Sequence, residues 1–441
     1  MGARGILLLA VFCMLGAAQQ DHMQELMLIR HKVVDSVNRM PHYLCTEMVD
    51  RKTMWPDPHW RSSGSDTCAD TIAEIAKHKG KPHLIAEDRL RLDVAIIGNN
   101  ETYSWVGAGQ FDDRPLVDKV QHGATATGSF AAFLQAIFTT DNASFKYKGE
   151  DKLDGQRILK YGFNVPLGRS GWTISNGPVN RLTGYSGEFS ADANTLDLLS
   201  LQIHADAIAE DLNMCEVTTT LNYSRVRLNS LDFLLPSEAA MRILKPNGLL
   251  SDNRTIFSGC HQFAGESTLI FDGETSAPKA IAQLKPNAIL LPGGLKVFIA
   301  LVEAIDPAKA AAGDEVKGRL TKPISIPGSG ITVPKGTPLN GRICELLLRH
   351  GSETSLDLGL TWESLNFGAT THVLNLALKS AVPGTAKVDK VHVRGPEIGN
   401  SPPPSEQGTG YFVFPEVKKS YQIPAGFEAE WMTLIAKPPA K

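Results

Sequence analysis

The sequence predicts a mainly β protein in two halves: an α+β N-terminal half, with an antiparallel sheet and two helices, and an all-β C-terminal half. Three observations carry this. Leu90, Leu92, Val94 and Ile96 alternate with Arg89, Arg91 and Asp93, the period of a half-buried strand. Asp154-Gly155, Asn176-Gly177, Asp192 to Asn194 and Asn247-Gly248 punctuate residues 143–271 as turns of a meander. Alternation returns at Leu356, Leu358, Leu360 and Trp362, at Leu374, Leu376 and Leu378, and at Phe427, Ala429, Trp431, Thr433 and Ile435.

The elements follow in order. Arg4 precedes the apolar run Ile6 to Gly16, and Gly16, Ala17 and Ala18 are small. That is the layout of a secretory signal peptide over residues 1–18, with cleavage after Ala18 and export to the periplasm or cell envelope as the expectation. Such a run is too short to span a bilayer, and no transmembrane helix is expected in the mature chain. Val11 and Phe12 before Cys13 disfavour a lipid anchor. Leu26, Ile29, Val33, Val37 and Met40 share one helical face, and Pro41 ends the helix. Most of Trp55 to Gly80 reads as loop, being rich in Pro, Ser, Gly, Asp and Lys. Gly98-Asn99-Asn100 predicts a hairpin into Glu101 to Val106.

Phe130, Phe133, Leu134, Ile137 and Phe138 form a second helical stripe, with Thr127 or Ser129 as its cap, and this stripe must cover an apolar sheet face. Ser237 to Leu244 has helical propensity, but its position before Pro246-Asn247-Gly248 favours a strand. The organisation is thus an N-terminal domain over residues 22–271, a linker over 272–290, and an all-β barrel or sandwich over 291–441, entered by the turns at Val333 to Gly336 and Ile423 to Gly426. Pro383 to Gly410 reads as a long loop.

Length and charge agree with this plan. The 441 residues exceed one ordinary core, and 44 basic against 47 acidic residues leave a formal charge of -3 with no basic stripe. Nucleic acid is therefore not an expected partner.

No catalytic machinery and no cofactor are expected. The chain lacks G-x-S-x-G; Gly184-Tyr185-Ser186-Gly187 has the wrong spacing. Gly107-Ala108-Gly109 lacks the third glycine of a dinucleotide loop. No close ligand pair suggests zinc: His78 and His83 are scattered, and Cys260 and His261 would point to opposite faces of a strand. Glu150, Asp151 and Asp154, interrupted by Lys152, read as a solvated hairpin tip. The Asn-x-Ser/Thr matches at Asn100, Asn142, Asn222 and Asn253 have no meaning without a glycosylating host. Beyond the leader lie Cys45, Cys68, Cys215, Cys260 and Cys344. An oxidising compartment lets four of them pair. The pairs expected are Cys215 with Cys260, on adjacent strands of the meander, and Cys45 with Cys68; Cys344 is left as a small buried hydrophobe.

Several strings resemble known families. YSGEFSADANTLDLLSLQIHADAI from Tyr185, NYSRVRLNSLDFLLPSEA from Asn222 and NRTIFSGCHQFAGESTLIF from Asn253, with YLCTEMVDR at Tyr43 and LRLDVAIIGNNETYSW at Leu90, look like a group of exported acidobacterial proteins of unknown function. More distantly, the N-terminal half resembles the outer-membrane lipoprotein carrier fold. The resemblance implies a strongly curved antiparallel sheet wrapped over helices, whose concave face in the carriers holds acyl chains. AAGDEVKGRLTKPISIPGSGITVPKGTPLNGRI from Ala311, followed by SLDLGLTWESLNF at Ser355, is similar to the β-barrel of the scaffold subunit of type IV secretion and conjugation pores. Together these imply a non-enzymatic envelope binding or assembly protein with a lipid, a lipoprotein or an envelope protein as partner. A structural envelope or secretion-apparatus subunit is the alternative, and a hydrolase of unrecognised type the second.

Overall fold

The computed structural model describes residues 22–56, 67–77, 81–98, 100–108, 111, 114–120, 122–262, 291–368, 370–382, 388, 390–394, 408–418 and 420–434. The expected signal peptide, the linker over 272–290 and most of the loop from Pro383 to Gly410 lie outside the described residues.

Helix α1 spans residues 22–38. Leu26, Ile29 and Val33 are buried, and Val37 and Met40 pack against the same core. Strand β1 (Tyr43–Trp55) follows. The stretch read as loop contains a helix, α2 (Cys68–Lys77). Its start is a reciprocal cap: Asp70 N–H donates to Thr67 Oγ1 at 3.2 Å, and Thr67 N–H to Asp70 Oδ2 at 3.3 Å, which satisfies amides that an isolated helix end leaves free.

β2 (His83–Ile97) and β3 (Asn100–Trp105) form the expected hairpin. α3 (Leu116–Lys119) is one turn. The second stripe is a short α4 (Ala132–Leu134) running into a π-helical turn, Gln135–Thr139. All five apolar residues of the stripe are buried. Neither Thr127 nor Ser129 caps it; Ala131 holds the cap position, with no side-chain bond.

The meander comprises β4 (Ser144–Leu153), β5 (Gln156–Val165), β6 (Thr173–Asn176), β7 (Val179–Leu182), β8 (Gly184–Asp192), β9 (Leu198–Asp206), β10 (Glu216–Leu228), β11 (Leu231–Leu244) and β12 (Leu250–Gln262). β11 includes Ser237 to Leu244, as its position before the turn suggested. Apart from the separate β6–β7 hairpin, the strands run β3-β2-β1-β12-β11-β10-β9-β8-β5-β4, all antiparallel. β1 thus sits between β2 and β12. One apolar core joins the inward residues of this sheet to α1 and the second stripe.

The C-terminal half holds β13 (Lys296–Leu301), β14 (Glu315–Leu320), β15 (Ile324–Ser325), β16 (Thr332–Val333), β17 (Pro338–His350), β18 (Thr354–Phe367), β19 (Thr370–Val373), β20 (Leu376–Ala381), β21 (His392–Arg394), β22 (Thr409–Phe414) and β23 (Glu428–Thr433). Pairing gives the order β20-β23-β13-β14-β17-β18-β22-β21, with β19 added to β18. The sheet curls until a Cβ on Gly410 of β22 would lie 2.4 Å from the Trp431 ring. No backbone pairing joins β20 to β22 among the described residues, so the closed form of the expected barrel is not found and the sheet is open and curled. A second apolar core fills it, around Leu356, Leu358, Trp362, Phe412 and Trp431.

The halves meet along a seam. Arg349, Leu348 and Leu347 of β17 pair with Ala86, Glu87 and Asp88 of β2. Ala312 bridges Leu90: Arg91 N–H donates to Ala312 O at 2.7 Å, and Ala312 N–H to Arg89 O at 2.8 Å. Arg91 pairs with Asp314. Gly313 has φ +108°, and a Cβ there would lie 2.1 Å from Arg91 O, so only glycine lets the strands approach this closely.

Candidate functional site

The sheet register decides the disulfides. Bonds join Cys45 to Cys260 and Cys68 to Cys215, so the expected pairs Cys215–Cys260 and Cys45–Cys68 are corrected. β12 starts with Leu250 opposite Leu244, beside Cys215. Cys260 lies ten residues farther along β12, about 33 Å away at strand rise. It instead faces the start of β1, where the register shifts around Cys45. Cys45 and Cys68 are likewise at opposite ends of the sheet, because β1 runs its full length between them. Cys344 is free.

The other residues singled out in the sequence are dispersed. Glu150 pairs with Arg157 and Asp151 with Lys160, both at the exposed β4–β5 hairpin. Ser186 Oγ donates to Asp206 Oδ1 at 2.8 Å, a bond between neighbouring strands. Among the described residues no three His, Cys, Asp or Glu side chains are grouped to hold a metal; His78 and Gly109 lie outside them.

Two cavities lie against the inward face of the N-terminal sheet. The first is a mouth of about 100 Å³ between the C-terminal half of α1, the β8–β9 turn and the tip of the β10–β11 hairpin. Val33, Val37, Leu134, Leu198 and Phe233 make its lining apolar. The amphipathic period of α1 puts Val33 and Val37 there and the inward alternation of β11 puts Phe233 there, while Leu134 comes from α4 and Leu198 from the start of β9.

The rim of the mouth is charged. Asp197 accepts from Lys32 at 2.7 Å and from Arg225 at 2.8 Å through both carboxylate oxygens. Burial pushes the Asp197 carboxyl up, but the hydrogen bonds from Arg225 and Lys32 outweigh it and hold the carboxyl below its ordinary value. The lip is strained at Leu196, whose φ is +60°, costly for a residue with a large side chain; Asn229, with φ +55° in the β10–β11 turn, is a residue that such turns favour. Leu231 at the hairpin tip is 57% exposed.

The second cavity, about 30 Å³, lies deeper, between β1, β2, β10, β11, β12 and the segment 124–129. Glu47 of β1 lines it and is 5% exposed. Burial, and then the charge of Glu101, raise its carboxyl well above the ordinary value. Glu101 is satisfied: it accepts from Tyr103 Oη at 2.6 Å, Gly128 N–H at 2.6 Å and Phe130 N–H at 2.9 Å. Arg51, four residues beyond Glu47, is committed to Asp88 and to Ala124 O. Sequence reasoning passed over Glu47. Its signal is phase: it falls in step with Tyr43, Cys45 and Val49 on the inward face of β1.

No family model and no curated protein matches the chain. Similar solved structures are a putative outer membrane lipoprotein-sorting protein domain from Vibrio parahaemolyticus, at 10% identity and TM-score 0.28 over 54% of this chain and 92% of that one; a LolA superfamily protein from Nitrosomonas europaea, at 10% identity and TM-score 0.24 over 52% and 91%; and a DUF1329 family protein from Desulfovibrio piger, at 10% identity and TM-score 0.28 over 57% and 97%. These likenesses are too distant to transfer any residue's role.

Proposed function

We propose that the protein is a non-enzymatic binding protein of an oxidising extracytoplasmic compartment, which takes the end of an apolar chain at the mouth between α1 and the β10–β11 hairpin. The observation that carries this is the mouth itself: an apolar floor ringed by the Lys32–Asp197–Arg225 clamp and bounded by the strained turn at Leu196. An acyl chain or an apolar segment of a lipoprotein has the required chemistry, since each buried methylene contributes about 0.8 kcal/mol. The volume is below the roughly 300 Å³ at which pockets for compact ligands begin, which suits a chain end. Two disulfides support the compartment.

Assembly through a free sheet edge is the competing reading. β4 is a ten-residue edge strand, but Lys146, Lys148 and Lys152 and a bulge at Tyr147/Gly149 oppose pairing with another chain.

Native mass spectrometry of the full chain from an envelope fraction tests the proposal. An added mass matching a lipid or acylated partner is expected, reduced by Leu231→Asp. Bare protein that also fails to saturate with a fluorescent fatty acid overturns it.

A further inference from the structure

The inner cavity holds a second, chemically distinct feature. Glu47 lies between Leu92 and Phe257, its cross-strand neighbours, and neither can hydrogen-bond to it. Among the described residues no hydrogen bond or ion pair reaches its carboxyl. A buried polar group without a partner costs about 1–3 kcal/mol, and more when charged, so its retention calls for an occupant.

The lining says what kind of occupant. Ser129, Thr219 and Thr255 present hydroxyl oxygens. Asn253 donates its amide N–H to Ala124 O at 2.8 Å, which leaves its carbonyl oxygen as acceptor. Among the described residues no Lys or Arg lines the cavity, and the neighbouring Arg51 guanidinium is already engaged. The constellation is one acid with hydroxyls and an amide oxygen that can accept. A primary ammonium group complements it, having three donors and no acceptor. A volume near 30 Å³ accommodates the head alone, a group about the size of one water. Val49, Leu90, Leu116 and Met241 complete the wall, and the chain that carries the head would leave past Thr125 and the exposed Ala126.

We propose that the inner cavity binds a primary ammonium group on an unbranched apolar chain, with Glu47 as its counter-ion. The site is separate from the mouth: Met241 and Ala239 line the one and Phe233 and Leu234 the other, at different levels of β11. It stands whether or not the mouth binds an apolar chain.

The test is calorimetric titration of the full, disulfide-bonded chain with n-hexylamine and with n-hexanol, which share the chain and differ in the head. Hexylammonium should bind at least about tenfold tighter than hexanol, a ratio near the lower end of couplings measured for buried charge pairs. Glu47→Gln should bring the two within roughly twofold, as expected when a coupling of about 1.4 kcal/mol is lost. Leu231→Asp at the mouth should leave the ratio unchanged while weakening fatty-acid binding, which separates the two sites. Because Glu47→Gln could alter packing, infrared difference spectra of the wild-type chain provide a second readout: hexylammonium should remove a protonated-carboxyl band. Equal affinities, a preference that survives Glu47→Gln, or a cavity that takes neither probe and holds only water overturns the proposal.

Discussion

Arg342 reaches across the seam to Val106: its Nη1 donates to Val106 O at 2.7 Å and to Gly313 O at 2.6 Å, while Nε donates to Glu363 at 2.8 Å. The side chain comes from β17 in the C-terminal half and is 1% exposed. The carbonyl it satisfies follows β3 in the N-terminal half. One residue therefore ties the curled sheet to the ten-strand sheet through a buried, charge-assisted bond.

Replacing Arg342 should loosen that tie without emptying either core. Arg342→Met leaves two carbonyls unsatisfied and should cost about 1–3 kcal/mol. Each half has its own apolar core, so residues 22–273 and 290–441 should each fold alone. Calorimetry should then show the variant melting in two steps, each near the melting point of the matching isolated half. If both halves were molten alone while the variant still melted in a single step, the division into two folding units would be wrong.

Peptide mapping under non-reducing conditions should return Cys45 linked to Cys260 and Cys68 to Cys215. Cys344 should resist alkylation until the chain unfolds, because burial pushes its thiol up to about 12. Replacing the Cys45–Cys260 pair with alanines should cost about 2–5 kcal/mol, because it releases the first strand from the last of the meander. Recovery of Cys215 joined to Cys260 would contradict the register of β1 on β12.

Much of the sheet was legible in the sequence because turn chemistry is local. Asp154-Gly155 needs only its own backbone, and both residues have positive φ. The order of strands was not legible. β1 and β12 are neighbours although some 200 residues separate them, and no periodicity records that adjacency; the wrong disulfide pairs follow directly. α2 was missed for another reason. Cys68, Ile72 and Ile75 keep helical spacing, but only Thr71 is buried and the surrounding Pro, Ser, Gly, Asp and Lys read as loop, although Thr67 and Asp70 carried a readable capping pair. Glu47 was hidden because a carboxyl inside a strand looks like an outward residue until the neighbouring phase is fixed.

Asp197 should make the mouth sensitive to acid. Its carboxyl is held low in the folded chain, so its contribution is present at neutral pH and is lost as pH falls through the folded value, below an ordinary 3.8. Asp197→Asn should reduce stability by roughly 0.5–1 kcal/mol at pH 7, since Lys32 and Arg225 are both partly solvated. The melting points of variant and wild type should converge as pH falls through that folded value. A gap that does not narrow with acid would mean that the clamp acts through packing instead of charge.

Glu47 should act in the opposite sense. Its carboxyl is raised well above 4.5 by burial and by the charge of Glu101, so the folded chain binds a proton that the unfolded chain has released. Stability from this group is complete below pH 4.5 and declines as pH rises through the folded value. Glu47→Gln removes the titrating group and keeps the shape, with an amide N–H₂ in place of one carboxyl oxygen. Relative to wild type, the empty variant should therefore gain stability as pH rises from 4 to 8. The same substitution abolishes the preference for an ammonium head, so stability and selectivity should move in opposite directions. Denaturant titrations of both chains at pH 4, 6 and 8 measure the difference. A variant that gains nothing relative to wild type as pH rises would show that Glu47 has a stabilising partner in the folded chain, and the inner cavity would then need no guest.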